Sequence, residues 1–337
     1  MPTFTRSFDT ESFTAWFKKN PHSAVHELFR RWAPPGTASA GETCLRLAVR
    51  AGYLNFYVKG QSVAKLSCGP KGPRVSVHGA YVEGRRKNAD ATEAKSAQDY
   101  VDYDADALTK AETASLVSGW VATAETYASA EKRFVDDLVS ANPGTIDLEM
   151  GLPANDLPGS ERVAPRMDLV ILETGGTEAS IGFWEAKCAN NSELRSKGEV
   201  DPKVRGQIDR YVKWMNRDGR LSEVQKAYRA AASVLSHLHG LTAPKGNADA
   251  ECLVYWEALQ ATDAPQVIVQ PGLVIGNYWP EGSNEGIASE RMRQCASTFE
   301  DNGHREKLEN AGIRLHQVGP DEKKHVLPSL KAGGSAA

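Results

Sequence analysis

Apolar residues recur along this chain with two periods, and the switches between them mark its elements. Residues 9–33 carry the helical period and predict two short amphipathic helices, separated at Pro21. Strict alternation follows. Leu45, Leu47 and Val49 alternate with Arg46, Ala48 and Arg50; Leu54, Phe56 and Val58 repeat the pattern, as do Val75 and Val77. Short breaks bearing Gly or Pro (AG, KGQ, GPKGP) separate these runs, which predicts a β-meander. Residues 1–85 are therefore expected to form a small N-terminal α+β unit. Residues 86–106 are charged and poor in large aliphatics, so they read as a linker. A helical stretch from about Asp106 to Ser140 stops at Asn142-Pro143-Gly144. Three strand candidates come next, TIDLEMGL, RMDLVILE and ASIGFWEAKC, with TGGT as a hairpin turn between the last two. Helices over about 203–217 and 221–240, a strand or two in VIVQPGLVIGNYW, a helix over about 287–310 and the strand IRLHQV complete the order. A helix laid across an antiparallel hairpin, then a crossover helix to a further strand, gives an α/β (α+β) mixed sheet with helices on both faces. That unit is expected over residues 107–320, with 321–337 as a tail.

Composition narrows the class. The 337 residues are enough for a sizeable core, and the net charge of −3 means that any binding to nucleic acid must use a local positive patch. The five cysteines are scattered and form no C-x-x-C pair, which argues against a disulfide framework or zinc knuckle and for a reducing cytoplasm. The opening MPTFTRSFDTESF lacks the pattern of a signal peptide, and no apolar run has the length of a membrane span. GPKGP lacks the G-K-[ST] of a phosphate-binding loop and reads as a turn. His237 and His239 lie two apart on a helix, on different faces, and do not make a metal pair.

The strand candidates carry the chemistry. In an extended strand Ile181, Phe183, Glu185 and Lys187 share a face, so two charges end a row that begins apolar. Charges at such a place are costly unless paired or holding a metal. On the neighbouring strand Asp168 leads the apolar run Leu169–Leu172. If TGGT is the turn, the start of that strand lies beside the end of the next, and Asp168 meets Glu185. Two carboxylates and an amine suit a divalent cation with hard oxygen ligands, such as magnesium, with the lysine orienting water or stabilising phosphate charge.

Asp168 followed, after a hairpin, by Glu185-Ala186-Lys187 resembles the PD-(D/E)XK phosphodiesterase motif, with Arg166-Met167-Asp168 in place of its Pro-Asp and Pro165 nearby. Gln207 and Tyr211, in KVRGQIDRYVKWM, have the Q-x-x-x-Y spacing of the RecB-like branch of that superfamily. The resemblance covers about residues 120–280 and implies a restriction-endonuclease-like αβββαβ core. It implies that Asp168, Glu185 and the carbonyl of Ala186 hold Mg2+ (with Mn2+ as substitute), that Lys187 positions the attacking water, and that Gln207 and Tyr211 contact the DNA backbone. It also places a glutamate of the first helix in or near the metal shell. Glu131 fits, because it shares a helical stripe with Phe134, Val135 and Leu138. The activity implied is hydrolysis of DNA phosphodiesters, in DNA repair or defence against mobile elements.

Other features stay open between two readings. Gln207 lies on the apolar stripe of its helix, where a polar group needs a partner. Residues 195–217 hold seven basic residues, Lys203, Arg205 and Arg210 among them, against three acidic ones: a phosphate-binding face or an ordinary solvated one. Phe56, Tyr57 and Lys59 are a stacking surface or strand core and rim. Glu149 is a strand residue of undecided facing. With no ATPase motif, a nuclease here would act alone or with a separate motor or partner protein, and a homodimer is open. The alternatives are a nuclease fold that binds nucleic acid without cutting it, or a nuclease effector regulated through residues 1–85.

Overall fold

The computed structural model describes residues 4–37, 44–82, 100–153, 166–175, 178–198, 200–242, 250–280 and 286–331. Asp9 caps α1 (Thr10–Lys19) by accepting from the Ser12 N–H, and Ser23 caps α2 (Ala24–Arg30) in the same way. Phe13 and Phe17, one turn apart, are buried against Phe29 of α2. The meander follows as β1 (Arg46–Val49), β2 (Tyr53–Val58), β3 (Gln61–Gly69) and β4 (Gly72–His78), all antiparallel in chain order. Lys59 and Gly60 both take positive φ (45° and 69°), so the two-residue turn between β2 and β3 has the mirror-image geometry that suits a twisted hairpin. Leu54, Phe56, Leu66, Val75 and Val77 point into the core.

The stretch expected as a linker supplies a fifth strand, β5 (Tyr100–Tyr103), paired with β4. Residues 83–99 lie outside the described residues. Of the suggested stacking trio, Phe56 is buried against Phe29, and Lys59 reaches Asp136 (3.3 Å). Tyr57 faces the other side of the sheet and accepts from Arg50 (3.0 Å).

The single helix expected over 106–140 is three: α3 (Ala105–Leu108), α4 (Ala111–Glu125) and α5 (Ala130–Ala141). Val117, Trp120 and Val121 of α4 belong to the core of the first sheet. Phe134, Val135 and Leu138 of α5 belong to a second core. One straight helix cannot serve both, and Ser129 restarts the chain by capping α5 at the Lys132 N–H.

The second sheet begins with β6 (Thr145–Gly151), β7 (Arg166–Gly175) and β8 (Glu178–Cys188), antiparallel and adjacent. Gly175 pairs with Glu178, which fixes a two-residue connection at the expected TGGT; Gly176 and Thr177 themselves lie outside the described residues. Next come α6 (Lys203–Met215), α7 (Arg220–Thr242) and α8 (Cys252–Ala261), the last not foreseen from the sequence. The short β9 (Gln266–Val267) and β10 (Gly272–Gly276) then run parallel to β8 along one edge. The expected final helix breaks at Asn302-Gly303 into α9 (Gly286–Asp301) and α10 (His304–Asn310), because Gly303 takes φ +68°. β11 (Arg314–Val318) closes the order β11-β10-β8-β7-β6, parallel to β10. Residues expected as a tail return to this sheet, where the Leu330 N–H donates to Glu173 (2.7 Å).

Among the described residues there are ten α-helices, one antiparallel sheet and one mixed sheet, an α/β arrangement compatible with the α+β class. The two sheets share a core: Phe4 lies edge-on to Trp214 of α6 and Tyr228 of α7. Among the described residues no helix is long and apolar enough to cross a membrane. None of the five cysteines is in a disulfide among the described residues.

Candidate active site

The register of the second sheet gathers the acids. Leu169 pairs with Trp184, which sets Asp168 opposite Glu185. Leu148 pairs with Leu169 and Met150 with Met167, which sets Glu149 beside Asp168. Three strands thus contribute one carboxylate each to a row across the sheet. Glu149 takes φ +53°, a left-handed backbone that costs a non-glycine residue about 1–2 kcal/mol. Asp168 accepts from the backbone N–H of Ala186 (2.8 Å).

Lys187, two residues on from Glu185 and on the same face, reaches into this row. Its Nζ is 2.6 Å from Glu185 Oε1, 3.5 Å from Glu131 Oε1 and 3.7 Å from Glu193 Oε2. Glu131 arrives from the first turn of α5 and is held at its other oxygen by Asn191 Nδ2 (2.7 Å). Glu193 and Asn191 were missed in the sequence. Their one signal is the polar run NNSE directly after β8, where Asn191 caps a short 3-10 turn (Ser192–Leu194).

Burial makes the cluster electrostatically tense. Glu185 and Lys187 are 2% and 4% exposed, Asp168 is half-buried, and Glu131 and Glu193 face partly outward. Burial pushes Glu185 up to about 7, against the pull of Lys187. Burial and then the Glu185 charge hold Asp168 well above the usual carboxylate range. For Lys187 burial acts to lower the pKa, but Glu185, Asp168 and Glu131 outweigh it, so the amine stays charged. Glu185 Oε2 is buried and has no hydrogen-bond partner. A charged oxygen left so is costly, and such atoms mark sites completed by something else.

Among the described residues no three His, Cys, Asp or Glu side chains converge as a metal cage. The donor chemistry nonetheless fits a hard divalent cation. Asp168 and Glu185 supply carboxylate oxygens, and magnesium takes one or two carboxylates and completes its shell with water or phosphate.

The α6 residues divide. Tyr211 is fully buried with its ring 5.2 Å from that of Phe183, so it packs in the core rather than on a surface that DNA could reach. Gln207 is half-buried, and its Oε1 has no hydrogen-bond partner. Lys203 and Arg210 are exposed and share the line of Gln207 at helical spacing. Arg205 is held by Asp201 (2.6 Å) and Asp209 (3.7 Å), and Arg195 donates to the carbonyls of Asn191 and Cys295, so the basic stretch is partly spent on structure.

Comparison with protein-family models, with curated proteins and with solved structures finds no match to this chain.

Proposed function

We propose that this chain is a metal-dependent nuclease of the PD-(D/E)XK type that hydrolyses DNA phosphodiester bonds. One observation carries the reading above the others: Glu185 presents a buried carboxylate oxygen with no partner, between Asp168 and the charged Lys187. The element order supports it. α5, β6, β7 and β8, then three helices (α6–α8) and strands parallel to β8, follow the αβββαβ order that the motif implies with two helices added.

In this reading Asp168, Glu185 and the Ala186 carbonyl would hold Mg2+, with Mn2+ as substitute. When bound, the cation supplies positive charge at the scissile phosphate and lowers the pKa of the attacking water. Lys187 stabilises the negative charge that builds on the phosphate, where a preorganised cation in a buried site is strongest. Glu131 and Glu193 hold Lys187 in line. Lys203 and Arg210, both exposed, would take DNA phosphates. A cleavage panel of linear and circular, single- and double-stranded DNA, and of RNA, with and without Mg2+ tests the reading.

A second reading has its own observation. Lys187 closes ion pairs with three glutamates, which is also what a purely structural cluster would do. That protein would bind nucleic acid and leave it intact in the same panel.

A further inference from the structure

One large opening among the described residues lies away from Lys187. It is a cleft of about 710 Å³ between the outer face of the N-terminal sheet and the ends of β6 and β7. Of the five cations in its lining, Arg6 and Arg50 pair with the buried Asp147 and Arg166 pairs with Glu149 (3.7 Å), whereas Lys65 and Lys132 reach the neutral partners Tyr100 (2.9 Å) and Gln61 (2.6 Å). Tyr53 of β2 and Tyr100 of β5 are half-buried in its floor, three strands apart and about four residues out of line along the strands, or roughly 20 Å at the usual strand geometry. Lys65 lies between them, with its Nζ 4.2 Å from the Tyr100 ring centroid and 2.9 Å from its hydroxyl. Aromatic faces interleaved with cations on an open sheet are a platform for unpaired bases and their phosphates.

The cleft also runs into the carboxylate row. Lys132 and Arg166 are in its wall. Lys132 adjoins Glu131 on α5, Arg166 lies two residues before Asp168 on β7, and Glu149 belongs to both cleft and row. We propose that this cleft binds single-stranded nucleic acid, stacking bases on Tyr53 and Tyr100 and leading phosphates past Lys65, Lys132 and Arg166 to Asp168. A duplex fits this chemistry poorly, because its base faces are already stacked on one another. The end served by the strand rests on the nuclease reading; the binding itself does not.

The test is fluorescence anisotropy of the full chain in EDTA with labelled oligothymidylate, with a blunt duplex of equal length, and with unlabelled thymidine monophosphate as competitor. The strand should bind more tightly than the duplex. Tyr100→Ala should weaken strand binding at least about 5-fold, the effect of one missing stack, whereas Tyr100→Phe should keep it. Lys65→Ala combined with Arg166→Ala should flatten the log–log salt dependence by about 1.4, because two phosphates of a single strand are then no longer neutralised by the protein. That readout stands even if Tyr100→Ala fails to fold. Equal affinity for duplex, indifference to both changes, or displacement of the strand by the mononucleotide at equal concentration would each overturn the proposal. Strand binding as expected without cleavage in Mg2+ would sink the nuclease reading and leave the cleft standing. Cleavage without strand binding at these residues would do the reverse.

Discussion

Asp147 is the residue whose loss should cost the fold most. Its side chain is 1% exposed. It accepts from Arg6 Nε (3.0 Å), Tyr228 Oη (3.1 Å) and the Leu148 N–H (2.8 Å), and pairs with Arg50 as well. Four segments thereby meet at one carboxylate: the N-terminal stretch, the loop after β1, β6 and α7. In Asp147→Ala the Arg50 guanidinium keeps the Tyr57 hydroxyl and the carbonyls of Val49 and Leu148. Arg6 keeps the Thr5 carbonyl (3.1 Å) and its place over the Phe4 ring (4.3 Å), its Nη2 already lacks a partner, and both Arg6 and Arg50 lose their buried counter-charge. Breaking a buried pair in this way costs about 3–5 kcal/mol. At roughly 2 °C per kcal/mol for a chain of this size, Tm should fall by about 6–10 °C. Calorimetry of Asp147→Ala, Arg6→Met and the double variant checks the reasoning. The double variant should recover at least about 1 kcal/mol relative to the sum of the singles, because one of the two orphaned charges is gone. A fall of less than about 2 °C in Asp147→Ala, or strict additivity, would refute it.

Three further outcomes are expected. A Cβ at Gly272 would overlap the buried Trp184 ring, so Gly272→Ala should cost about 1–3 kcal/mol in urea unfolding; an unchanged midpoint would show that the contact gives freely. Lys187→Ala should slow single-turnover cleavage by about 100-fold and leave DNA affinity in Ca2+ nearly unchanged, with no rescue by arginine; lost affinity at an unchanged bound rate would make Lys187 a phosphate anchor instead. A carboxyl moved from 4.5 to about 7 favours its protonated folded form by about 3 kcal/mol. Its folded pKa is the higher one, so that contribution is whole below about 4.5 and lost as pH rises through about 7. In EDTA, Glu185→Gln should therefore gain stability over the parent chain across that window, and parallel melting curves of the two proteins would contradict this.

The acids of the second sheet were legible because two facts of strand geometry place them: side chains alternate, and a short turn brings the end of one strand beside the start of the other. Asp168, Glu185 and Lys187 follow from those alone. Glu131 was legible for a different reason, its place on the stripe of Phe134, Val135 and Leu138, although the helix that bears it is shorter than expected. Nothing in ATAETYASAEK breaks a helix by composition; only the need of α4 and α5 to face separate cores does, and that is a tertiary effect. β5 was hidden because an edge strand needs only one apolar neighbour, and Tyr100–Tyr103 sits in charged sequence. Tyr211 shows the limit of motif spacing: the spacing is present, yet its ring is enclosed beside Phe183. The cleft was beyond reach because its lining comes from β2, β3, β4, β5, α5, β6 and β7, and no local pattern links them.

The most direct test of the account is cleavage of plasmid and single-stranded DNA by the full chain and its Glu185→Ala variant, side by side in Mg2+ and in EDTA. Cleavage is expected from the parent chain in Mg2+ alone, and none from the variant, which should still melt cooperatively. Intact DNA in every lane, or cutting by Glu185→Ala at the parent rate, would contradict it.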